Sequence, residues 1–110
     1  MKIAIPTKNQ QLTAHFGHCE QFAIVHIDGT TIKEVEYIAP PVHEPGVYPK
    51  FLADMGVEVI VAGGMGQKAQ DLFAENNIKV FIGVNADTPS KLAQQYLSQQ
   101  LESGQNLCDH

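Results

Sequence analysis

The sequence predicts a single α/β domain in three layers, with a mixed sheet of about five strands between helices. Three observations carry this. Two β-rich runs joined through Asp28-Gly29-Thr30 have the form of a hairpin. Beyond residue 46, short apolar runs of strand length alternate with stretches of helical period, the signature of strand-helix-strand units. The chain has 110 residues, 44% hydrophobic and 17% charged, which suits one compact domain with its own core and leaves no length for a second.

Each element has a local reason. Residues 2–7 form a short buried strand that Pro6 and the polar run at 8–11 are expected to break. Residues 12–20 carry no period. Strands follow at 21–27 and 31–38, and Pro40, Pro41 and Pro45 make 39–46 an extended loop. Val47, Tyr48, Phe51, Leu52 and Met55 share one helical face, and Gly56 is placed to end that helix in the left-handed conformation. Residues 57–62 then form a central strand, which enters Gly63-Gly64-Met65-Gly66 and a helix of about ten residues stopped by Asn76-Asn77. A strand at 79–84 comes next. Thr88 and Pro89 suit the N-cap and first position of a last helix, whose stripe of Leu92, Ala93, Tyr96, Leu97 and Leu101 is expected to run until Gly104. The domain is therefore residues 1–104, with a Cys/His tail at 105–110. Right-handed crossovers between parallel strands put helices on both sheet faces.

Composition excludes several classes. Twelve acidic residues face seven basic ones, a net charge of −5, and every basic residue is lysine. Such a surface repels a phosphate backbone and lacks the guanidinium fork that reads bases, so nucleic acid is not an expected partner. No apolar run approaches the ~20 residues of a membrane span, and the first residues lack the apolar core of a signal peptide. The expected location is the cytoplasm. There, thiols stay reduced, and Cys19 and Cys108 are ligands or plain thiols rather than halves of a disulfide.

The chemistry-bearing residues are unevenly placed. His15, His18, Cys19, His43, Met65, Cys108 and His110 all fall in expected loops or the tail, whereas His26 sits in a strand. His15-Phe16-Gly17-His18-Cys19 offers three donors in five residues, and Cys108-Asp109-His110 adds two. Imidazole with thiolate suits zinc, copper or iron and is poor for magnesium or calcium. Each also has a plain alternative: a polar loop with one buried thiol, a solvated His43, an untethered tail, a Met65 that only packs beneath its loop. Gly63, Gly64 and Gly66, between a strand and a helix, can offer amides to an anion such as a metal-sulfur cluster, or simply make a tight turn. The spacing is neither a phosphate-binding loop of nucleotide hydrolases nor a dinucleotide fingerprint. Catalysis finds little support: the first strand has no carboxylate for a metal-dependent nuclease, and no acid stands in sequence to orient a Cys-His pair.

These residues also carry a family resemblance. His15-Phe16-Gly17 after the first strand, Phe22-Ala23-Ile24-Val25, Gly56-Val57-Glu58-Val59-Ile60-Val61, the Gly63–Gly66 turn and Ile78-Lys79-Val80-Phe81, in this order over about a hundred residues, resemble the dinitrogenase iron-molybdenum cofactor biosynthesis family. The resemblance implies a ribonuclease H-like motif: a mixed five-stranded sheet of order 3-2-1-4-5 with strand 2 antiparallel. It also implies binding of iron-sulfur cofactor precursors, and one relative holds a molybdenum-copper-sulfur cluster. By resemblance His15 is the first candidate cluster contact, and the glycine turn lines the same sheet end. The tail resembles the short Cys/His tail of some small stand-alone members. Such members occur in organisms that do not fix nitrogen, so nitrogenase itself is not implied.

The expected function is that of a small carrier or scaffold for an iron-sulfur or molybdenum/iron-sulfur type cluster, exchanged with donor and acceptor proteins by a monomer or weak homodimer, and not an enzyme. His15, His18 and Cys19 are its metal ligands, with His43, Cys108 and His110 as further candidates; Gly63, Gly64, Met65 and Gly66 bind the cofactor. A conventional iron-sulfur site takes four thiolates and this chain has two, so its binding is of the exchangeable kind that a carrier needs. A mononuclear zinc or copper module for sensing or storage is the alternative, followed by an anion- or nucleotide-binding protein that uses only the glycine turn.

Overall fold

The computed structural model describes residues 1–13, 19–41 and 47–101. Its sheet is built on β1 (Lys2–Lys8), with β2 (Gln11–Leu12), β3 (Gln21–Asp28), β4 (Thr31–Ile38), β5 (Val59–Val61) and β6 (Lys79–Phe81) following in the chain. The order across the sheet is β4-β3-β1-β5-β6, with β2 paired to the end of β1. β3 runs antiparallel to both β1 and β4, whereas β1, β5 and β6 are parallel. Among the described residues three helices complete the domain: α1 (Val47–Asp54), α2 (Gln67–Glu75) and α3 (Pro89–Leu97).

Two apolar layers follow from the two-residue period of the strands. Ala4, Phe22, Ile24 and Ile60 face one side, where Tyr48 and Leu52 of α1 and Phe73 of α2 cover them. Ile3, Ile5, Ala23, Val25, Val59 and Val61 face the other, beneath Leu92 and Ala93 of α3. Central strands buried on both faces have no polar alternation, which is why 2–7 and 21–27 are nearly continuous in apolar residues. Each large aliphatic buried this way contributes roughly 1.5–3 kcal/mol relative to exposure.

All three helices end in one device. The amide of Val57 donates to Leu52 and that of Gly56 to Ala53; Ile78 to Phe73 and Asn77 to Ala74; Gln100 to Gln95 and Gln99 to Tyr96. These are paired Schellman bonds, with the left-handed residue at Gly56 (φ 84°), Asn77 (φ 61°) and Gln99 (φ 61°). At α1 the Lys2 ammonium also donates to the Met55 carbonyl at 2.7 Å.

The structure corrects five expectations. The sheet has six strands, because β1 turns through Asn9 and Gln10, both at positive φ, and pairs with Gln11 and Leu12. Pro6 does not break β1. Its carbonyl accepts from Thr13, and atoms on that side of β1 face the space beyond the last β5 pairing at Ala4, where no ladder needs a proline amide. β5 and β6 are shorter than 57–62 and 79–84: Val57 belongs to the α1 cap, and Gly83 (φ 69°) bends the chain after β6. α3 stops at Leu97, because Gln99 takes the left-handed conformation there; Leu101 still packs against the second layer, but from outside the helix. The hairpin turn is also displaced by one residue. Asp28 pairs with Thr31, leaving Gly29 (φ 64°) and Thr30 as the turn.

Candidate functional site

The carboxyl ends of β1, β4, β5 and β6 and the start of β3 share one edge of the sheet. From β1 the chain first builds one side, β3 and β4, and then crosses to the other, β5 and β6. In open α/β sheets the crevice at such a reversal, outside the carboxyl ends of the two strands, is where ligands bind. Here that crevice lies between the segments that follow β1 and β5.

The segment after β1 is held at both ends. Thr13 donates to the Pro6 carbonyl at 3.0 Å, Leu12 to Asp87 at 3.1 Å, and Glu20 to Thr7 at 2.8 Å. The Glu20 carboxylate accepts from the Asn9 amide at 2.9 Å. Thr7 is buried, and its hydroxyl donates to the Gln21 carbonyl at 2.9 Å. Thr13 and Glu20, which bracket His15, His18 and Cys19 in the sequence, are thereby fixed to consecutive residues at the end of β1. His15 and His18 themselves, like His43, Cys108 and His110, lie outside the described residues.

Cys19 is buried, in the same apolar cluster as Met65, Tyr48 and Phe22. The two sulfur-bearing residues of the crevice segments thus meet one core, although they are far apart in sequence. Burial pushes the Cys19 thiol up to about 11, against the pull of a backbone hydrogen bond, so it is protonated at neutral pH. A metal bound there has to displace that proton. Tyr48 is raised too, by burial and then by the neighbouring Cys19. Its ring meets Phe22 edge-on at 5.1 Å. Among the described residues, no three His, Cys, Asp or Glu side chains gather to hold a metal ion by themselves.

The glycine turn is fixed through its carbonyls. Those of Ala62 and Gly63 accept from Val84 and Gly83, and those of Met65 and Gly66 from the side chain and amide of Gln70. Gly63, Gly64 and Met65 are buried; Gly66 is exposed and caps α2 without a side-chain hydrogen bond. The first amides of α2 therefore lack a capping side chain at the positive end of the helix dipole. Gly66 has φ −65° and ψ 155°, which any residue adopts, and a Cβ built there meets nothing within 4 Å. Nothing in the protein's own packing asks for glycine. Gly66→Ala is expected to change stability by less than about 1 kcal/mol, the poorer cap offset by a less flexible unfolded chain. Urea unfolding checks this, and a loss above roughly 2 kcal/mol would show that the space is not open.

Of the candidates in sequence, Cys19 and the Gly63–Gly66 turn are brought to one edge, with Met65 packed beneath it. Tyr48 was not among them. Its place on the apolar face of α1 was legible, but its neighbour Cys19 was not, because that contact spans two loops. The β2 pairing and the Leu12–Asp87 bond left no signal in a polar stretch.

The fold and this edge define a class: a mixed α/β domain in which a buried cysteine and a glycine-lined helix start follow the carboxyl ends of adjacent parallel strands. The model of the family described as dinitrogenase iron-molybdenum cofactor matches residues 1–99, and the chain belongs to that family. It is 38% identical over 86 residues to an uncharacterized protein of Methanocaldococcus jannaschii, covering 74% of this chain and 73% of that one. The crystal structure of PH0822 superposes with a TM-score of 0.87 at 27% identity over the full length of both chains. The apo form of the orange protein from Desulfovibrio gigas does so with a TM-score of 0.76 at 23% identity, over 96% of this chain and 93% of that one. Among the described residues no helix is long and apolar enough to cross a membrane.

Proposed function

We propose that the chain is a small carrier or scaffold that takes up an iron-sulfur or molybdenum/iron-sulfur type cluster as cargo at the β1/β5 crevice. The observation that carries this is the bonding of Thr13 and Glu20 to consecutive residues at the end of β1, with Cys19 buried in the same core as Met65 of the glycine turn. The family's association with an iron-molybdenum cofactor supports it, as does a structural relative described in an apo form, a term used of a protein that also takes a ligand. His15, His18 and Cys19 act as primary ligands, His43, Cys108 and His110 complete the set, and amides at Gly63–Gly66 meet the anionic sulfides. A cluster whose own sulfides satisfy most metal positions needs few protein donors and leaves easily, as carriage requires. On this reading the fold is a ribonuclease H-like motif, and the protein works in the cytoplasm as a monomer or weak homodimer between donor and acceptor proteins. It binds neither nucleic acid nor membrane.

The test is metal and acid-labile sulfide per chain, on protein purified anaerobically and again after iron and sulfide are offered. Several metals with matching sulfide are expected, falling to background in the His15→Ala, Cys19→Ala double variant while its circular dichroism stays native. One zinc or copper without sulfide, or wild-type retention in the double variant, would overturn the reading.

A further inference from the structure

On the proposed reading Cys19 bonds cargo, yet the folded chain keeps it in the core, 8% exposed and packed with Phe22, Tyr48 and Met65. The sulfur becomes available only when the backbone there moves off that core. The residue that follows, Glu20, is tied to the end of β1 twice: its amide donates to the Thr7 carbonyl at 2.8 Å, and its carboxylate accepts from the Asn9 amide at 2.9 Å. From Gln21 onward the chain is locked into β3, opposite Thr7 and with the Thr7 hydroxyl donating to its carbonyl. Movement at Cys19 therefore pivots on Glu20. The Asn9 end of the tie has a local cause. Lys8 pairs with Gln11, so Asn9 and Gln10 are the two turn residues, both left-handed at φ 56° and 63°. Such a turn prefers glycine second, where this chain has glutamine. The Asn9 amide lies outside the ladder, and a carboxylate from across the strand end takes it in a charge-assisted bond.

We propose that the Glu20 carboxylate is a latch: bonded to Asn9 it keeps Cys19 in the core, and its release frees the thiol for cargo. Glu20 is a positioning residue, acting through Cys19. Its role in loading rests on the carrier reading, whereas the latch belongs to the cargo-free chain. The bond is exposed, so water competes for it and it opens far more readily than the sheet behind it. Access to the thiol is then set by a local opening at residues 19–20, while β1 and β3 stay paired. Glutamine at position 20 keeps an acceptor of the same reach without the charge, and alanine keeps neither.

The test is the rate at which iodoacetamide alkylates Cys19 in the cargo-free chain, followed by mass, with Cys108→Ser leaving a single thiol. Glu20→Ala should react about tenfold faster, the loss of one charge-assisted hydrogen bond. Glu20→Gln should stay closer to wild type than to Glu20→Ala. Because a local opening exposes little surface, all three rates should be nearly flat in low urea. Equal rates in wild type and Glu20→Ala would overturn the latch. So would equal acceleration in the two variants, which marks a loss of charge, or acceleration that climbs with urea, which marks global unfolding. Cluster uptake after iron and sulfide are offered should quicken in Glu20→Ala by a similar factor, and unchanged uptake would overturn the latch's part in loading. Faster alkylation with no cluster in any variant keeps the latch and overturns the carrier reading instead.

Discussion

Phe22→Ala is expected to cost about 3–5 kcal/mol, a large part of the roughly 5–15 kcal/mol that holds a domain of this size together. Phe22 is fully buried, pairs with Pro6 on one side and Ile38 on the other, and carries Tyr48 edge-on. No small adjustment refills that volume, because its neighbours belong to a sheet whose register is fixed on both sides. The urea midpoint measures the loss, with Phe51→Ala, a half-buried ring on α1, as the smaller reference. A cost below about 1 kcal/mol at Phe22 would mean that the layer under the crevice collapses freely, and that Tyr48 and Cys19 are not held by it.

The second large effect is alkaline. The Cys19 thiol ionises near 11 in the folded protein, against 9.0 for a free thiol, with burial as the main cause. Between those values the unfolded chain has released its proton and the folded chain has not, so raising the pH favours unfolding. The contribution is complete below about pH 9 and is lost progressively as pH rises to about 11, reaching roughly 2–3 kcal/mol at most. Lysines and tyrosines titrate in the same range, so the informative quantity is the difference from Cys19→Ala. The wild type should lose more stability than the variant from pH 9 to 11, and parallel curves would show that the thiol is not desolvated.

Legibility in the sequence followed the local physics. Gly29, Gly56 and Asn77 announced their turns because the left-handed conformation selects for glycine and asparagine, and the structure uses each of them there. Gln99 occupies the same conformation without any such signature, so the end of α3 was expected too late. β2 was invisible for a different reason: two residues, one of them buried, make no period. At the site, the loop positions of Cys19 and the glycine turn were readable residue by residue. Their common core was not, since it exists only because β1 and β5 lie side by side, a fact set by tertiary packing. Nor could spacing show that the thiol is held protonated, because burial has no local code.

The adjacency of β1 and β5 also sets a sequence of events. β1, β2, β3 and β4 meet through short connections and are complete once residue 38 has been made, whereas Ile3 reaches Val59 only across the whole of α1. Pairings that close long loops bear a larger entropic cost and form late. The crevice therefore has no half-built form during synthesis: until β5 docks, one wall is absent. A nascent chain at that stage has the Cys19 thiol but no crevice beside it, and whatever the finished protein holds at that edge, it can only begin to hold it after the α1 crossover has brought β5 against β1.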